Sequence, residues 1–131
     1  MDRIDKILNH DLFLYHLGKN NAAEADRRFC RHSMVHFLDV ARIGTIIALE
    51  EGLELDREWI YAAALLHDCG KHEQYENGTP HEQASARIAP EILKDCGFDD
   101  KETDVIVTAI SRHRDPEAAK EKNLNGVLSR A

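Results

Sequence analysis

The sequence predicts an all-α fold, a compact bundle of about five to seven helices. Three observations predict it: no proline occurs before Pro80, apolar residues recur three and four positions apart, and no alternating run offers strands for a sheet. At 131 residues the chain fits a single domain with room for a continuous apolar core and no need of disulfides.

Each element has its own signal. Ile4, Ile7, Leu8, Phe13, Leu14 and Leu17 predict a first helix or helix pair ending at Gly18, a residue suited to a C-cap. The longest segment, roughly 27–51, carries the stripe Phe37, Val40, Ala41, Gly44, Ile47 and Ala48, with Gly52 as its stop. Asp56 can cap a third helix bearing Trp59, Ile60, Ala63, Leu66 and His67, which Gly70 ends. The polar stretch 71–79 reads as a loop. Pro80 opens a fourth helix with Ala84, Ile88, Ile92 and Leu93 facing inward up to Gly97, and Pro90 is expected to bend or split it. Asp99 and Glu102 form a capping-box pattern for a fifth helix through Val105, Ile106, Ala109, Ile110 and His113. Asp115-Pro116 restarts the chain into a short sixth helix.

Composition narrows the function. Seventeen basic against 24 acidic residues leave a formal charge of −7, a surface that repels nucleic-acid backbones, so broad nucleic-acid binding is not expected. A small phosphate ester stays compatible if a metal or a few convergent side chains meet it locally. Cys30, Cys69 and Cys96 are widely spaced with no C-x-x-C pair, which predicts reduced thiols in the cytoplasm and excludes a zinc ribbon. The amino terminus lacks the apolar core of a signal peptide, and no stretch approaches a membrane span. The many apolar faces allow a homodimer.

His67-Asp68, at the end of the apolar run Ala62-Ala63-Ala64-Leu65-Leu66, is the pair hardest to explain as packing. An imidazole and a carboxylate there can converge on a divalent cation, which offsets their desolvation. The alternative is a polar helix end facing water, and it loses ground because His36, His81 and His113 also lie at or beside apolar helical faces. His36 stands on the edge of the long helix's buried stripe, four residues before Val40, and reads as a ligand. His32, one turn earlier and nearer solvent, reads as a group behind the ligands or facing the substrate.

Together these residues supply five donors from four helices, which a bundle can bring to its centre. The mixed set suits iron, manganese, zinc or nickel better than calcium, in one or two divalent ions. Asp68, the only carboxylate in the set, is the bridging candidate. Lys71 can neutralise a phosphate oxygen or simply be a solvated residue after a helix stop. Arg112 and Arg114 flank His113 and carry the same two readings. Cys69 reads as a small packed residue.

These residues resemble the HD-domain superfamily of metal-dependent phosphohydrolases. The match runs through H-F-L-D-V-A at His36 to Ala41, A-L-L-H-D-C-G-K at Ala64 to Lys71, H-E-Q-A-S-A at His81 to Ala86 and A-I-S-R-H at Ala109 to His113, and covers about residues 25–131. The resemblance implies a helical HD-type fold and hydrolysis of a phosphoester or phosphoanhydride, commonly in a nucleotide or dinucleotide. It implies that His36, His67 and Asp68 are the leading metal ligands, and that Lys71 lies beside the substrate phosphate. It also implies that His81 and His113 are the extra histidines of the subset holding a second metal, as in HD-type cyclic-dinucleotide phosphodiesterases and diadenosine tetraphosphate hydrolases. Asp68 and Lys71 are then the catalytic candidates. The family closes its first metal site with a later aspartate, and the sequence stops at Ala131 before one appears. The expectation is a single domain, 1–131, cut short of that residue, with Asp104 and Asp115 as weaker substitutes. Two further readings are a non-catalytic metal- or nucleotide-binding regulatory module and a helical interaction protein with incidental histidines.

Overall fold

The structure, a computed structural model, describes residues 1–25 and 34–131. Among the described residues it is all α: α1 (Asp2–Leu8), α2 (Asp11–Ala23), α3 (Met34–Glu50), α4 (Arg57–Leu66), α5 (Lys71–Asn77), α6 (His81–Asp95), α7 (Asp100–Ser111), a single 3-10 turn (Ala118–Lys120) and α8 (Leu124–Arg130). The bundle predicted from periodicity is therefore present. α1 and α2 are the helix pair that Ile4 to Leu17 allowed, and α5 and α8 are seven-residue pieces.

α4 is the axis of the bundle. Ile60 and all five residues from Ala62 to Leu66 are buried, and a helix apolar on every side can only sit in a core. It packs against α1, α3, α6, α7 and α8. Gly44 of α3 lies against Ile60 of α4, where an added Cβ would stand 3.1 Å from Ile60 Cγ2. The segment 27–51 is matched by α3 from Met34 onward; the earlier part, with His32 and Cys30, lies outside the described residues.

Four boundaries differ from expectation. α2 runs on through Gly18 to Ala23, since Asn20 is buried on the same line as Phe13 and the helix still has a face to cover. The predicted loop at 71–79 is mostly helix α5, whose anchors are tertiary: Glu73 pairs with Arg87, Glu76 with Lys19 and Tyr75 with Glu24. It ends at Gly78, whose φ of 81° is left-handed. Pro80 is the N-cap of α6 and not its first residue, and the helix is not split at Pro90, with Ala89 and Ile92 buried on either side. The restart after Asp115-Pro116 yields the 3-10 turn, and the last true helix begins after Asn123, whose side chain accepts from the Gly126 amide.

The capping box predicted for α7 is present, and it belongs to a larger polar clamp. Arg3 on α1 donates through Nε to Glu58 at 2.8 Å and through Nη1 to both oxygens of Glu102 at 2.9 Å, while its guanidinium lies 4.1 Å from the Phe98 ring centroid. Trp59 Nε1 donates to Glu102 as well. Arg3→Ala leaves two half-buried carboxylates without their shared cation and is expected to cost about 2 kcal/mol, read as a lower midpoint of urea unfolding with an unchanged slope.

Candidate metal centre

The site is assembled around one turn. α4 ends at Leu66, His67 is its C-cap, and the chain turns through Asp68, Cys69 and Gly70 straight into α5. Two elements hold that turn. From α2, Asn20 donates through Nδ2 to the Asp68 carbonyl at 3.0 Å and accepts from the His72 amide at 2.8 Å. From α6, Ser85 Oγ accepts from the Gly70 amide at 2.9 Å. A Cβ on Gly70 would stand 2.7 Å from both Ala84 Cβ and the Ser85 backbone nitrogen, so only glycine lets α6 approach this closely.

The turn buries the Asp68 carboxylate, and four histidines surround it. His67 Nε2 lies 3.2 Å and His36 Nε2 4.0 Å from Asp68 Oδ2. His81 Nε2 and His113 Nε2 lie 3.3 and 3.5 Å from Oδ1, and 3.1 Å from each other. His36 reaches in from α3 and is half-exposed, His81 starts α6, and His113 follows the end of α7. All five residues expected as ligands thus meet at one point.

The second nitrogen of three rings decides the chemistry. His67 Nδ1 meets the Ala64 carbonyl at 2.6 Å, and His113 Nδ1 meets the Ile110 carbonyl at 2.6 Å. A carbonyl oxygen only accepts, so both Nδ1 atoms carry the proton. His81 Nδ1 meets Gln74 Oε1 at 2.8 Å, and that atom also accepts from the His81 backbone amide, which fixes it as oxygen. In the neutral rings every Nε2 therefore presents a lone pair to a carboxylate that also only accepts. A cation between them turns repulsion into coordination, and Nδ1–H donation to an oxygen is the usual orientation of a metal-ligating histidine. The donors form two sets sharing Asp68, His36–His67–Asp68 and Asp68–His81–His113, each with its ligand atoms within 4.8 Å of one another. Separations of 3 to 4 Å suit ligands about 2.0–2.2 Å from one ion. The chain can hold one or two divalent metal ions here.

Without metal, a proton is the remaining cation. Burial opposes charge on His67, but the Asp68 carboxylate outweighs it and raises the pKa. Burial also opposes charge on His81, Lys71 and His113 reinforce it against Asp68, and the pKa falls to about 4. In the metal-depleted protein His67 is thus expected to remain protonated at a pH where His81 is neutral, an order that NMR titration of the ring carbons would read directly. The reverse order would contradict the charge arrangement described.

Lys71 is buried beside this centre, its Nζ 3.4 Å from His81 Nδ1. Both atoms are donors in the tautomer just derived, so the ammonium is not held by the ring. The arginines separate in role. Arg112 is committed to Asp115 at 3.2 Å and Glu121 at 2.6 Å and braces the connection after α7, whereas Arg114 is exposed at a cleft shared with Lys71 and His81. Asp115 is thereby engaged, and Asp104 lines a different cavity with Val105, Thr108 and Leu124. Burial pushes the Cys69 thiol up to about 12, which fits its expected packing role. Asn20, Gln74 and Ser85 were not among the expected site residues. Only Asn20 had a signal, since positions 13, 17 and 20 fall on one helical line.

A family model described as HD domain matches residues 34–131, which includes all five clustered donors. The chain belongs to the HD-domain family. This HD-domain chain is 47% identical, over its full 131 residues and 82% of the other protein, to a Clostridium beijerinckii protein described as uncharacterized. No solved structure matches it. The fold and the donor cluster of this HD-domain protein are consistent with phosphohydrolase chemistry. Among the described residues, no helix is long and apolar enough to cross a membrane.

Proposed function

We propose that this HD-domain protein hydrolyses a phosphoester or phosphoanhydride, in a nucleotide or dinucleotide, within the cytoplasm. The observation that carries the reading is a single buried carboxylate faced by three oriented Nε2 lone pairs, with a buried lysine alongside. His36, His67 and Asp68 would hold one ion, and Asp68, His81 and His113 the other. Bound ions supply Lewis acidity and a water of lowered pKa.

The chain's own groups do the rest. Asp68 spans the two sets, so its rigid seating between Asn20 and the Gly70–Ser85 contact fixes their spacing. Lys71 stabilises negative charge that builds on the phosphoryl oxygens, and burial strengthens that attraction. The carbonyls of Ala64 and Ile110 and the Gln74 amide hold the imidazoles in the ligating tautomer through substrate binding and release.

The test is release of nitrophenol from p-nitrophenyl phosphate and bis-p-nitrophenyl phosphate, and of nucleoside, nucleotide or phosphate products from a panel of mono- and dinucleotides, with manganese or iron present and after chelation. Metal-dependent release supports the hydrolase. Metal binding without release from any of them would favour a non-catalytic regulatory module.

A further inference from the structure

Beside the metal centre lies a cleft of about 650 Å³ between α5, the start of α6 and the connection after α7. His81 belongs to both, its Nε2 directed at Asp68 and its ring lining the cleft wall. Two cations face this space: Lys71, buried next to His81, and Arg114, one residue beyond His113. Among the described residues neither has a carboxylate at ion-pair distance, although Arg112 two positions earlier has two. Glu82 is the single acid on the wall. In a chain of net charge −7, two unneutralised cations beside a pair of metal sites are a local reversal of sign.

Their positions differ in a way that matters. Lys71 is buried in the cleft wall with its Nζ 3.4 Å from His81 Nδ1, the ring nitrogen opposite the one that faces Asp68, and on the hydrolase reading it serves the phosphoryl group nearer the metal centre. Arg114 is exposed, with a long side chain and a planar fork that matches a phosphate edge. We infer that Arg114 anchors a second, non-reacting phosphate, so that the cleft selects ligands carrying at least two linked phosphates over those carrying one. This rests on the hydrolase reading for the identity of the reacting group, but the cation pair itself does not need turnover.

The test is a calorimetric titration of AMP and of the α,β-methylene analogue of ADP, which share base and sugar and differ by the second phosphate. It is run on the metal-containing wild type, Arg114→Ala and Arg114→Lys. Wild type is expected to bind the diphosphate at least about tenfold tighter, and Arg114→Ala to lower that ratio about tenfold. Arg114→Lys should recover part of it, because charge is restored without the fork. An equal ratio in wild type and Arg114→Ala would overturn the inference, as would wild type showing no preference. A preference that depends on Arg114 in a protein that hydrolyses none of the panel substrates would uphold the inference and contradict the hydrolase reading. Arg114 is exposed, so its replacement leaves the core untouched.

Discussion

Asp68→Asn is expected to lose both metal ions and to lower metal-dependent turnover by at least about 10³-fold. The substitution keeps shape and removes charge, and both sets of donors depend on that one carboxylate. A merely structural aspartate would give a different pattern. An asparagine amide can still donate to one Nε2 lone pair, but it gives up the attraction between the Asp68 carboxylate and a protonated His67, so the metal-depleted variant should melt somewhat below the metal-depleted wild type and still fold. What should vanish is the rise in Tm that manganese gives wild type, since a ligand that binds only the native state stabilises it by mass action. A variant that unfolds easily yet keeps its metal response would show that Asp68 holds the fold and not the ions.

Gly70→Ala is the second large effect. The new methyl would meet Ala84 Cβ and the Ser85 backbone nitrogen at 2.7 Å, and neither is the loose end of a side chain. α6 must retreat, which is expected to cost about 3 kcal/mol and to loosen the Gly70–Ser85 hydrogen bond. Because α6 begins with His81, the damage should extend to the His81–His113 set and reduce its metal occupancy more than that of the His36–His67 set. Gly18→Ala is the control: nothing lies within 4 Å of its Cβ position in mid-α2, and alanine there should stabilise by up to about 1 kcal/mol. Equal melting temperatures for Gly70→Ala and wild type would refute the packing argument.

The sequence carried most of the fold because its signals were local. The Asp99–Glu102 box, the stripe from Phe37 to Ala48 and the glycine stops at Gly52 and Gly97 each depend on residues a few positions apart. α5 was not legible in this way: Lys-His-Glu-Gln-Tyr-Glu-Asn has no apolar period, and its helix is fixed by partners on α2 and α6. The same contrast holds at the site. His36, His67, Asp68, His81 and His113 stood out as polar residues at the edges of apolar faces, and the fold brings them together.

The groups that orient the site were harder to find, since Asn20, Gln74 and Ser85 are ordinary surface types whose importance lies in one or two hydrogen bonds to a distant backbone or ring, and only Asn20 lies on an apolar helical line. Arg112 and Arg114 show a similar limit. They are two residues apart in sequence, yet Asp115 and Glu121 claim one while the cleft beside His81 receives the other.

The measurement closest to the central claim is elemental metal content per chain, made on wild type and Asp68→Asn purified anaerobically without chelator. A shared carboxylate between two histidine pairs predicts about two transition-metal ions per wild-type chain and close to none in the variant. Wild type free of transition metal, or equal content in both proteins, would contradict it.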